Sequence, residues 1–270
     1  MTRIALLGVP YDASSSFRKG AAGAPKAIRE ALWSEAGNSW TENGIDLRTA
    51  PLEDAGDLQF TEGESNEEAR GRIEAAVAGI AGSERRPLVL GGDHSITYPV
   101  LRGFRPRHPR LTVLHFDAHP DLYDEFEGDR FSHACPFARC KEEGLIDRLV
   151  QVGIRTINGH QREQARKFGV EVIEMKDWRD GRPLGLEGPV YISFDLDALE
   201  PGLIPGISHR EPGGFTVRQA LSIIQGIAAP LVGADIVELN PSNDPSGVSA
   251  AVAAKLAKEL AGQMLRSEVS

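Results

Sequence analysis

Short apolar runs alternate with amphipathic stretches along almost the whole chain. Runs typical of buried strands occupy residues 4–9, 88–90, 111–116, 149–153, 170–174, 190–194 and 232–237. Stretches with apolar positions at the spacing of a helix face lie between them, at residues 25–33, 67–80, 136–143, 161–168 and 217–228. Because strands that alternate with helices pair in parallel, this order predicts an α/β fold with a parallel sheet and helices on both of its faces.

The last predicted helix is marked by four apolar residues spaced four apart, Val252, Leu256, Leu260 and Met264. Such a stripe packs one face of a helix against a sheet. Residues 38–64 give only a weak signal, and we expect an irregular excursion there that could border a functional site. No repeat, low-complexity tract or linker divides the sequence, which predicts a single domain over residues 1–270.

Composition and charge narrow the function classes. The chain has 270 residues, of which 41% are hydrophobic and 26% charged, as in one large α/β domain. Lys and Arg total 30 against 39 Asp and Glu, and this acidic excess argues against nucleic acid as a partner and favours a small cationic molecule. The N-terminal run lacks the features of a secretory signal, and no stretch approaches the roughly 20 apolar residues of a membrane span. We therefore expect a cytoplasmic protein that does not contact a membrane.

Acidic and imidazole side chains directly follow three of the predicted strands. The segments are GGDHS at residues 91–95, DAHPD at 117–121 and DLD at 195–197. Because the carboxyl ends of parallel strands meet at one edge of a sheet, where α/β proteins build their sites, we expect these side chains to converge there. The candidate metal ligands are His94, Asp117, His119, Asp121, Asp195 and Asp197.

The chemistry of this set favours a pair of metal ions. Two imidazoles and four carboxylates are too many ligands for one zinc ion, and the set contains no thiolate. Oxygen-rich sites prefer harder ions such as Mn²⁺, and carboxylates that bridge two ions account for the number of ligands. The alternative interpretation is that each segment is only an acidic loop. One segment alone could be that, but three of them after three strands favour a metal site.

The same residues carry a resemblance to a known family. The segments GGDHS, DAHxD and SxDxD at residues 91–95, 117–121 and 193–197 resemble the signatures of the ureohydrolases, which include the arginases and agmatinases. Further similarity covers nearly the whole chain and is nearest to the plant-type arginases, at residues 6–10, 132–134, 151–155, 206–214 and 252–255. The resemblance implies a three-layer α/β/α fold around a mostly parallel sheet of about eight strands.

The resemblance also implies an activity, the hydrolysis of the guanidinium group of L-arginine to L-ornithine and urea by a hydroxide that bridges two Mn²⁺ ions in each chain. One ion would be held by His94, Asp117, Asp121 and Asp195. The other would be held by His119, Asp117, Asp195 and Asp197, so that Asp117 and Asp195 bridge the pair. The family further implies a small cationic guanidino substrate and a homo-oligomer, either a trimer or a hexamer.

Three residues acquire catalytic roles from the resemblance. Asp121, beside the hydroxide, is the expected proton carrier. Glu238 would bind the guanidinium nitrogens, and the alternative interpretation is a solvated carboxylate at the end of a strand. His133 would relay protons to bulk solvent, as an imidazole can near neutral pH, and the alternative is a surface histidine.

The far end of the substrate is where alternatives remain open. Tyr123 stands where animal arginases have an Asn that binds the α-carboxylate, so this contact would come from Tyr123, Arg155 or residues 208–210, or be absent. Agmatine or another guanidino compound is therefore an alternative substrate, and a catalytically inactive metal-binding relative is a third interpretation. Glu200 replaces the Asp usual in relatives, a change expected to affect the local loop and not metal binding.

Overall fold

The computed structural model describes residues 2–266. Met1 and residues 267–270, which the domain prediction includes, lie outside the described residues. Eight strands form one sheet: β1 (Arg3–Gly8), β2 (Leu52–Asp57), β3 (Arg85–Leu90), β4 (Thr112–Phe116), β5 (Arg148–Ile154), β6 (Glu171–Glu174), β7 (Val190–Asp195) and β8 (Leu231–Val237). All seven pairings between them are parallel, in the order β2-β1-β3-β8-β7-β4-β5-β6. The predicted parallel α/β sheet is thus confirmed.

The described part of the chain contains seven α-helices: α1 (Ala24–Leu32), α2 (Asn66–Gly82), α3 (Thr97–Phe104), α4 (Pro136–Glu142), α5 (Gly159–Phe168), α6 (Val217–Gln225) and α7 (Val248–Arg266). Local chemistry sets several of their ends. Helices α2, α5 and α6 each begin with a capping box, in which Ser65, Asn158 or Thr216 accepts a backbone N–H three residues further on. Helix α5 ends at Gly169, in the left-handed conformation that glycine tolerates best. No helix among the described residues is long and apolar enough to span a membrane.

Buried side chains form two apolar clusters, one on each face of the sheet. Along β1, Ile4 and Leu6 belong to one cluster while Ala5 and Leu7 belong to the other, as the two-residue period of a strand requires. Helices α1, α6 and α7 contribute to the first cluster, and helices α2, α3, α4 and α5 contribute to the second. The three-layer α/β/α arrangement that the resemblance implied is therefore confirmed.

One sequence prediction was wrong and one helix was not predicted. Residues 38–64 are not irregular throughout, because Leu52–Asp57 forms the edge strand β2. Its sequence LEDAGD lacks the alternation and the β-branched residues that mark strands, since five of its six residues are exposed. Helix α3 was not predicted because its eight residues, TYPVLRGF, are few and include a proline and a glycine, residue types that usually indicate a break in a helix.

The four central strands end side by side. Strands β3, β8, β7 and β4 are neighbours in the sheet, and each leads at its carboxyl end into one of the predicted site segments. Because these strands are parallel, their carboxyl ends lie at the same edge of the sheet. The fold therefore brings residues that are distant in the sequence to one place.

Candidate metal centre

All six predicted ligands converge at the carboxyl edge of the sheet. His94 follows β3, the DAHPD segment follows β4, and Asp195 ends β7. A 3₁₀ turn at Leu196–Ala198 follows β7 and brings Asp197 beside Asp195. Five of the six side chains are buried, and that of His119 is 30% exposed.

His94 is the centre of the first ligand group. Its Nδ1 atom lies 3.1 Å from Asp117 Oδ2, 3.0 Å from Asp121 Oδ2 and 3.2 Å from Asp195 Oδ2. The side chain is fully buried, and Nδ1 has no hydrogen-bond partner among the described residues. Whether Nδ1 presents a lone pair or an N–H to the three oxygens therefore depends on how the ring is protonated.

Hydrogen bonds on the other side of the ring place one proton. His94 Nε2 lies 3.0 Å from Ser193 Oγ, which lies 2.7 Å from Asp235 Oδ1. Asp235 also accepts the hydroxyls of Tyr191 and Thr97, so Ser193 donates its single proton to Asp235 and accepts from His94 Nε2–H. This leaves Nδ1 facing three carboxylate oxygens. Burial lowers the pKa of His94, but the three carboxylates outweigh it and raise the pKa well above its ordinary value, so the position favours a cation. A metal ion could take the place of a proton there, because all four atoms are suitable metal ligands.

A second ligand group forms around His119. Its Nδ1 atom lies 3.2 Å from Asp117 Oδ1 and 3.0 Å from Asp197 Oδ2. The two oxygens of Asp117 therefore face different histidines, as the oxygens of a bridging carboxylate would. Asp195 differs, because its Oδ2 faces His94 while its Oδ1 accepts the Asp197 N–H at 2.7 Å. The geometry thus supports a bridging role for Asp117 more directly than for Asp195.

The crowding of buried carboxyl groups changes their pKa values. Burial, together with the charges of Asp197 and Asp117, raises the pKa of Asp195 well above its ordinary value. Burial and the charge of Asp117 also raise the pKa of Asp197. Burial acts in the same direction on Asp117, but the three histidines that face it outweigh burial and lower its pKa well below the usual range. Divalent cations would relieve the repulsion behind the two raised values.

Asp117 is held in place by His115 of β4. His115 Nε2 lies 2.8 Å from Asp117 Oδ2, and its Nδ1 lies 3.0 Å from Gln151 Nε2. The Gln151 amide nitrogen also donates to the Pro120 carbonyl at 2.6 Å, which identifies that nitrogen as the donor. His115 Nδ1 therefore accepts, and its Nε2–H donates to Asp117. This donor orients the carboxylate between the two ligand groups.

His133 and Glu238 lie together beside the ligands. His133 Nδ1 is 3.0 Å from Glu238 Oε1, and the same oxygen accepts the backbone N–H of His94 at 2.9 Å. Burial lowers the pKa of His133, but the hydrogen bond and charge of Glu238, with the charges of Asp93 and Asp121, outweigh it and raise the pKa to about 9. Burial raises the pKa of Glu238, but His133 outweighs that and lowers it. The two side chains therefore form a buried ion pair at neutral pH.

Two of the predicted catalytic residues adopt a backbone conformation that is rare outside glycine. The φ angle is +49° at Asp121 and +66° at Glu238. Such a conformation costs about 1–3 kcal/mol and persists only where the surroundings fix it, most often at functional sites. At Glu238 the fixing contacts include its own N–H, which donates to the Gly92 carbonyl at 2.8 Å.

A cavity of about 280 Å³ opens beside these groups. Its walls are formed by Ser16, His119, Asp121, Tyr123, Phe126, His133, Ala134, Thr156, Gln161, Asp195, Asp197, His209 and Glu238. None of the described residues that line it is Lys or Arg, and none comes from residues 38–64, so the predicted border there was wrong. That stretch instead contacts helices α6 and α7, where Glu42 pairs with Arg218 and Lys255.

The candidates for the far end of a substrate are placed differently from one another. Tyr123 lines the cavity, its hydroxyl accepts from the Asn158 side chain at 2.6 Å, and its ring stacks on His160 at 5.6 Å. Arg155 is not among the wall residues, because its guanidinium donates to the backbone carbonyls of Gly153, Asp197, Leu199 and Glu211. Tyr123 thus stays a candidate, and Arg155 does not reach the cavity.

His209 lines the cavity and belongs to residues 208–210, the third candidate for the far end of a substrate. Its ring centroid lies 5.2 Å from that of His133 and 5.9 Å from that of His119. The available signal was its place in the loop after β7, since loops at the carboxyl edge of a parallel sheet border the site.

Glu200 acts on its own loop, as expected. Its Oε2 accepts the backbone N–H groups of Gly213 and Gly214 at 2.7 and 3.1 Å. Gly214 has no room for a side chain, because a Cβ would lie 2.6 Å from the Ala198 carbonyl oxygen. The carboxylate of Glu200 therefore closes the turn at Gly213 and Gly214, which lies close to the segment that follows β7.

The fold and the site together define an α/β protein with a candidate metal centre at the carboxyl edge of its sheet. Comparison with known proteins identifies the family. The model of the Arginase family matches residues 2–262. The mitochondrial arginase of Medicago truncatula is 46% identical over 275 residues, which cover 96% of this chain and 81% of the relative. The agmatinase of Neisseria meningitidis is 37% identical over 267 residues, which cover 94% of this chain and 85% of the relative.

The solved structures agree with the sequence comparison. The structure of the arginase from Medicago truncatula matches with a TM-score of 0.92 at 44% identity, covering 97% of this chain and 87% of that chain. The chain belongs to the arginase family.

Proposed function

We propose that this protein is a manganese-dependent arginase, which hydrolyses the guanidinium group of L-arginine to L-ornithine and urea. The observation that carries the proposal is the position of His94 Nδ1, which lies 3.0–3.2 Å from three carboxylate oxygens beside a cavity that contains Glu238. The similarity to a plant arginase over nearly the whole chain supports L-arginine as the substrate.

Two Mn²⁺ ions per chain suit the residues present. One would be held by His94, Asp117, Asp121 and Asp195, and the other by His119, Asp117, Asp195 and Asp197. Four carboxylates balance the charge of two divalent ions, and the predominance of oxygen ligands favours Mn²⁺ over softer metals. When bound, the ions would supply a hydroxide nucleophile at neutral pH.

Glu238 is the proposed binding group for the guanidinium. It is the one carboxylate among the described wall residues that is not in the ligand set. A carboxylate can accept two parallel N–H bonds from a planar guanidinium, which fixes the orientation of the cation. The backbone N–H of His94 donates to Glu238 Oε1 at 2.9 Å. This hydrogen bond fixes the position of the proposed substrate-binding group relative to the metal ligands.

His133 and Asp121 are the proposed proton carriers. Cleavage of the C–N bond releases an amine, which has to be protonated as it leaves. His133 lines the cavity and stays protonated below a pH of about 9, so it can supply this proton. Asp121 lines the same cavity and contacts His94. Its carboxylate can therefore take up a proton beside the metal ligands and pass it to the leaving amine.

Replacing His133 tests this assignment. We expect His133→Asn to keep both ions and to lower kcat about 10²-fold, the lower end of a general acid–base contribution. In the unsubstituted enzyme kcat should fall as the pH rises through about 9, because only the protonated imidazole can donate, and the variant should lack this decrease. Urea release across the alkaline range and plasma mass spectrometry measure the two effects, with His108→Asn as the control. A decrease that persists in His133→Asn would assign the proton to another group.

Agmatine is the second candidate substrate, and one observation favours it. The described wall residues include no Lys or Arg, so the candidate donors for an α-carboxylate are neutral groups such as Tyr123, Thr156 and Gln161, or the imidazole of His209. Agmatine lacks this carboxylate and needs no such partner. The agmatinase relative shows that the family also includes proteins named for that substrate.

The ratio of kcat/KM for the two substrates decides between them. If neutral donors bind the carboxylate, L-arginine should be preferred by about 10²-fold or more, because agmatine leaves these donors unpaired. Tyr123→Phe should then weaken kcat/KM for L-arginine and leave that for agmatine unchanged. A preference for agmatine would overturn the arginase assignment without affecting the proposed metal centre.

We further propose that residues 1–270 act as one domain, that the chains assemble as trimers or hexamers, and that the protein works in the cytoplasm. The family match over residues 2–262 supports the first of these proposals. Light scattering tests the second, and a monomer would overturn it. Cell fractionation tests the third, and a mitochondrial location, as in the name of the Medicago relative, would overturn it.

A further inference from the structure

The loop before α1, here residues 11–16, is hydrogen-bonded to the GGDHS segment. The Asp93 N–H donates to the Tyr11 carbonyl at 2.9 Å, and Asp93 Oδ2 accepts the backbone N–H of Ser14 at 3.0 Å. Gly92 lies where the two backbones touch, since a Cβ there would be 1.8 Å from the Tyr11 carbonyl oxygen. Two residues of the motif that are not ligands thus acquire a role. Gly92 permits the close approach of the loop, and Asp93 holds it.

The same loop holds His133 at two points. The backbone N–H of His133 donates to the Ser14 carbonyl at 3.3 Å, and Ser16 Oγ lies 2.8 Å from His133 Nε2. On the other side of the ring, Nδ1 lies 3.0 Å from Glu238 Oε1. The imidazole is therefore held between a hydroxyl and a carboxylate.

The chemistry of the partners gives these two hydrogen bonds a direction. An ionised Glu238 can only accept, so Nδ1 of His133 carries a proton. The Ser16 hydroxyl can donate to Nε2 when the ring is neutral and accept from Nε2–H when the ring is protonated. A carbonyl or a backbone N–H could serve only one of these two states.

We propose that Ser16 is a positioning residue for His133, whose hydroxyl holds the imidazole against Glu238 in both protonation states and so keeps it aligned through proton transfer. The inference rests on the proposed function, because it concerns the proton donor of that reaction. A hydrogen bond to a charged group is stronger than one between neutral groups, so Ser16 also favours the protonated ring. The other titratable groups that face this ring are Glu238, Asp93, Asp121 and His209.

The first experiment measures the imidazole itself and needs no substrate. Diethyl pyrocarbonate acylates neutral imidazole, and trypsin releases His133 in residues 131–139 and the exposed His160 in residues 156–162, each peptide with a single histidine. The pH dependence of labelling at His133, with His160 as the internal reference, reports the His133 pKa. We expect Ser16→Ala to lower it by about 0.5–1 unit, the difference between a charged and a neutral hydrogen bond. Ser16→Thr keeps a hydroxyl and should restore the original value.

The second experiment measures catalysis with the Mn²⁺-loaded enzyme. Ser16→Ala should lower kcat about 10-fold, a smaller decrease than complete loss of a general acid causes. KM and metal content should be nearly unchanged. Ser15→Ala is the matched control, because it removes a hydroxyl of the same loop that lies 3.3 Å from Asp93 Oδ2. It should change neither the labelling nor kcat.

The outcomes separate this inference from the proposed function. Unchanged labelling in Ser16→Ala, or an equal shift in Ser15→Ala, would overturn the role of Ser16 whatever the activity. Failure of the unsubstituted protein to release urea from any guanidino compound would overturn the proposed function, while the labelling experiment would still test the contact between Ser16 and His133.

Discussion

Asp117→Ala should lose most of the bound metal and, with it, urea release. One oxygen of Asp117 lies 3.1 Å from His94 Nδ1 and the other 3.2 Å from His119 Nδ1, so its removal weakens both ligand groups at once. We expect metal affinity to fall by more than the roughly 10- to 100-fold that follows loss of a residue that only supports a ligand. Plasma mass spectrometry after dialysis measures the ions per chain. Added Mn²⁺ should raise the unfolding temperature of the unsubstituted protein much more than that of the variant, since an ion that binds the folded state stabilises it.

Two further variants complete this test. Asp195→Ala should also lose metal, but the smaller number of contacts from Asp195 to the second group predicts a smaller loss than for Asp117→Ala. Asp147→Asn is the control, because it removes an exposed charge just before β5, at the opposite edge of the sheet. Two ions per chain in both Asp117→Ala and Asp195→Ala would contradict the ligand assignment.

Glu238→Gln should lower kcat/KM for a guanidinium substrate by about 10- to 100-fold, the loss expected when a hydrogen bond to a charged group becomes neutral. The amide keeps the shape of the side chain and can still accept the His94 N–H, so both ions should remain. The charge and hydrogen bond of Glu238 raise the pKa of His133 to about 9. Their loss should lower that pKa, so the alkaline decrease in kcat should move to lower pH.

Three measurements on one protein preparation test this prediction. They are the metal content, kcat/KM and the pH dependence of labelling at His133. Kinetics and labelling identical to those of the unsubstituted enzyme would support the alternative interpretation, in which Glu238 is only a carboxylate at the end of a strand. Loss of metal would instead place Glu238 in the ligand set.

The architecture was predictable because its signals are local. A strand buried on both faces is a short apolar run, and the runs that became β4, β7 and β8 were recognised to within one or two residues. Strand β2 was missed for the opposite reason, because an exposed edge strand need not be apolar and LEDAGD contains three acidic residues and a glycine. Helix α3 was missed because it is short and contains Pro99 and Gly103, residue types that usually indicate a break in a helix.

The ligand set was predictable because unusual residue types follow several strands whose ends the fold must bring together. Its supporting contacts were not, since they depend on which distant side chains meet. Nothing in the spacing of Ser193 and Asp235 indicates that they determine the proton position on His94. The contact of Ser16 with His133 likewise joins residues 117 positions apart. Such pairs become visible only when the sheet is assembled.

The position of β8 has a consequence for synthesis and maturation. It is the last strand among the described residues but lies between β3 and β7, so the sheet stays divided until Leu231–Val237 has been made and inserted. His94 belongs to the part of the sheet on one side of β8, and Asp117 and Asp195 belong to the part on the other. A nascent chain therefore cannot bring its ligands together, and we expect metal acquisition to be a late event that follows release of nearly the whole polypeptide from the ribosome.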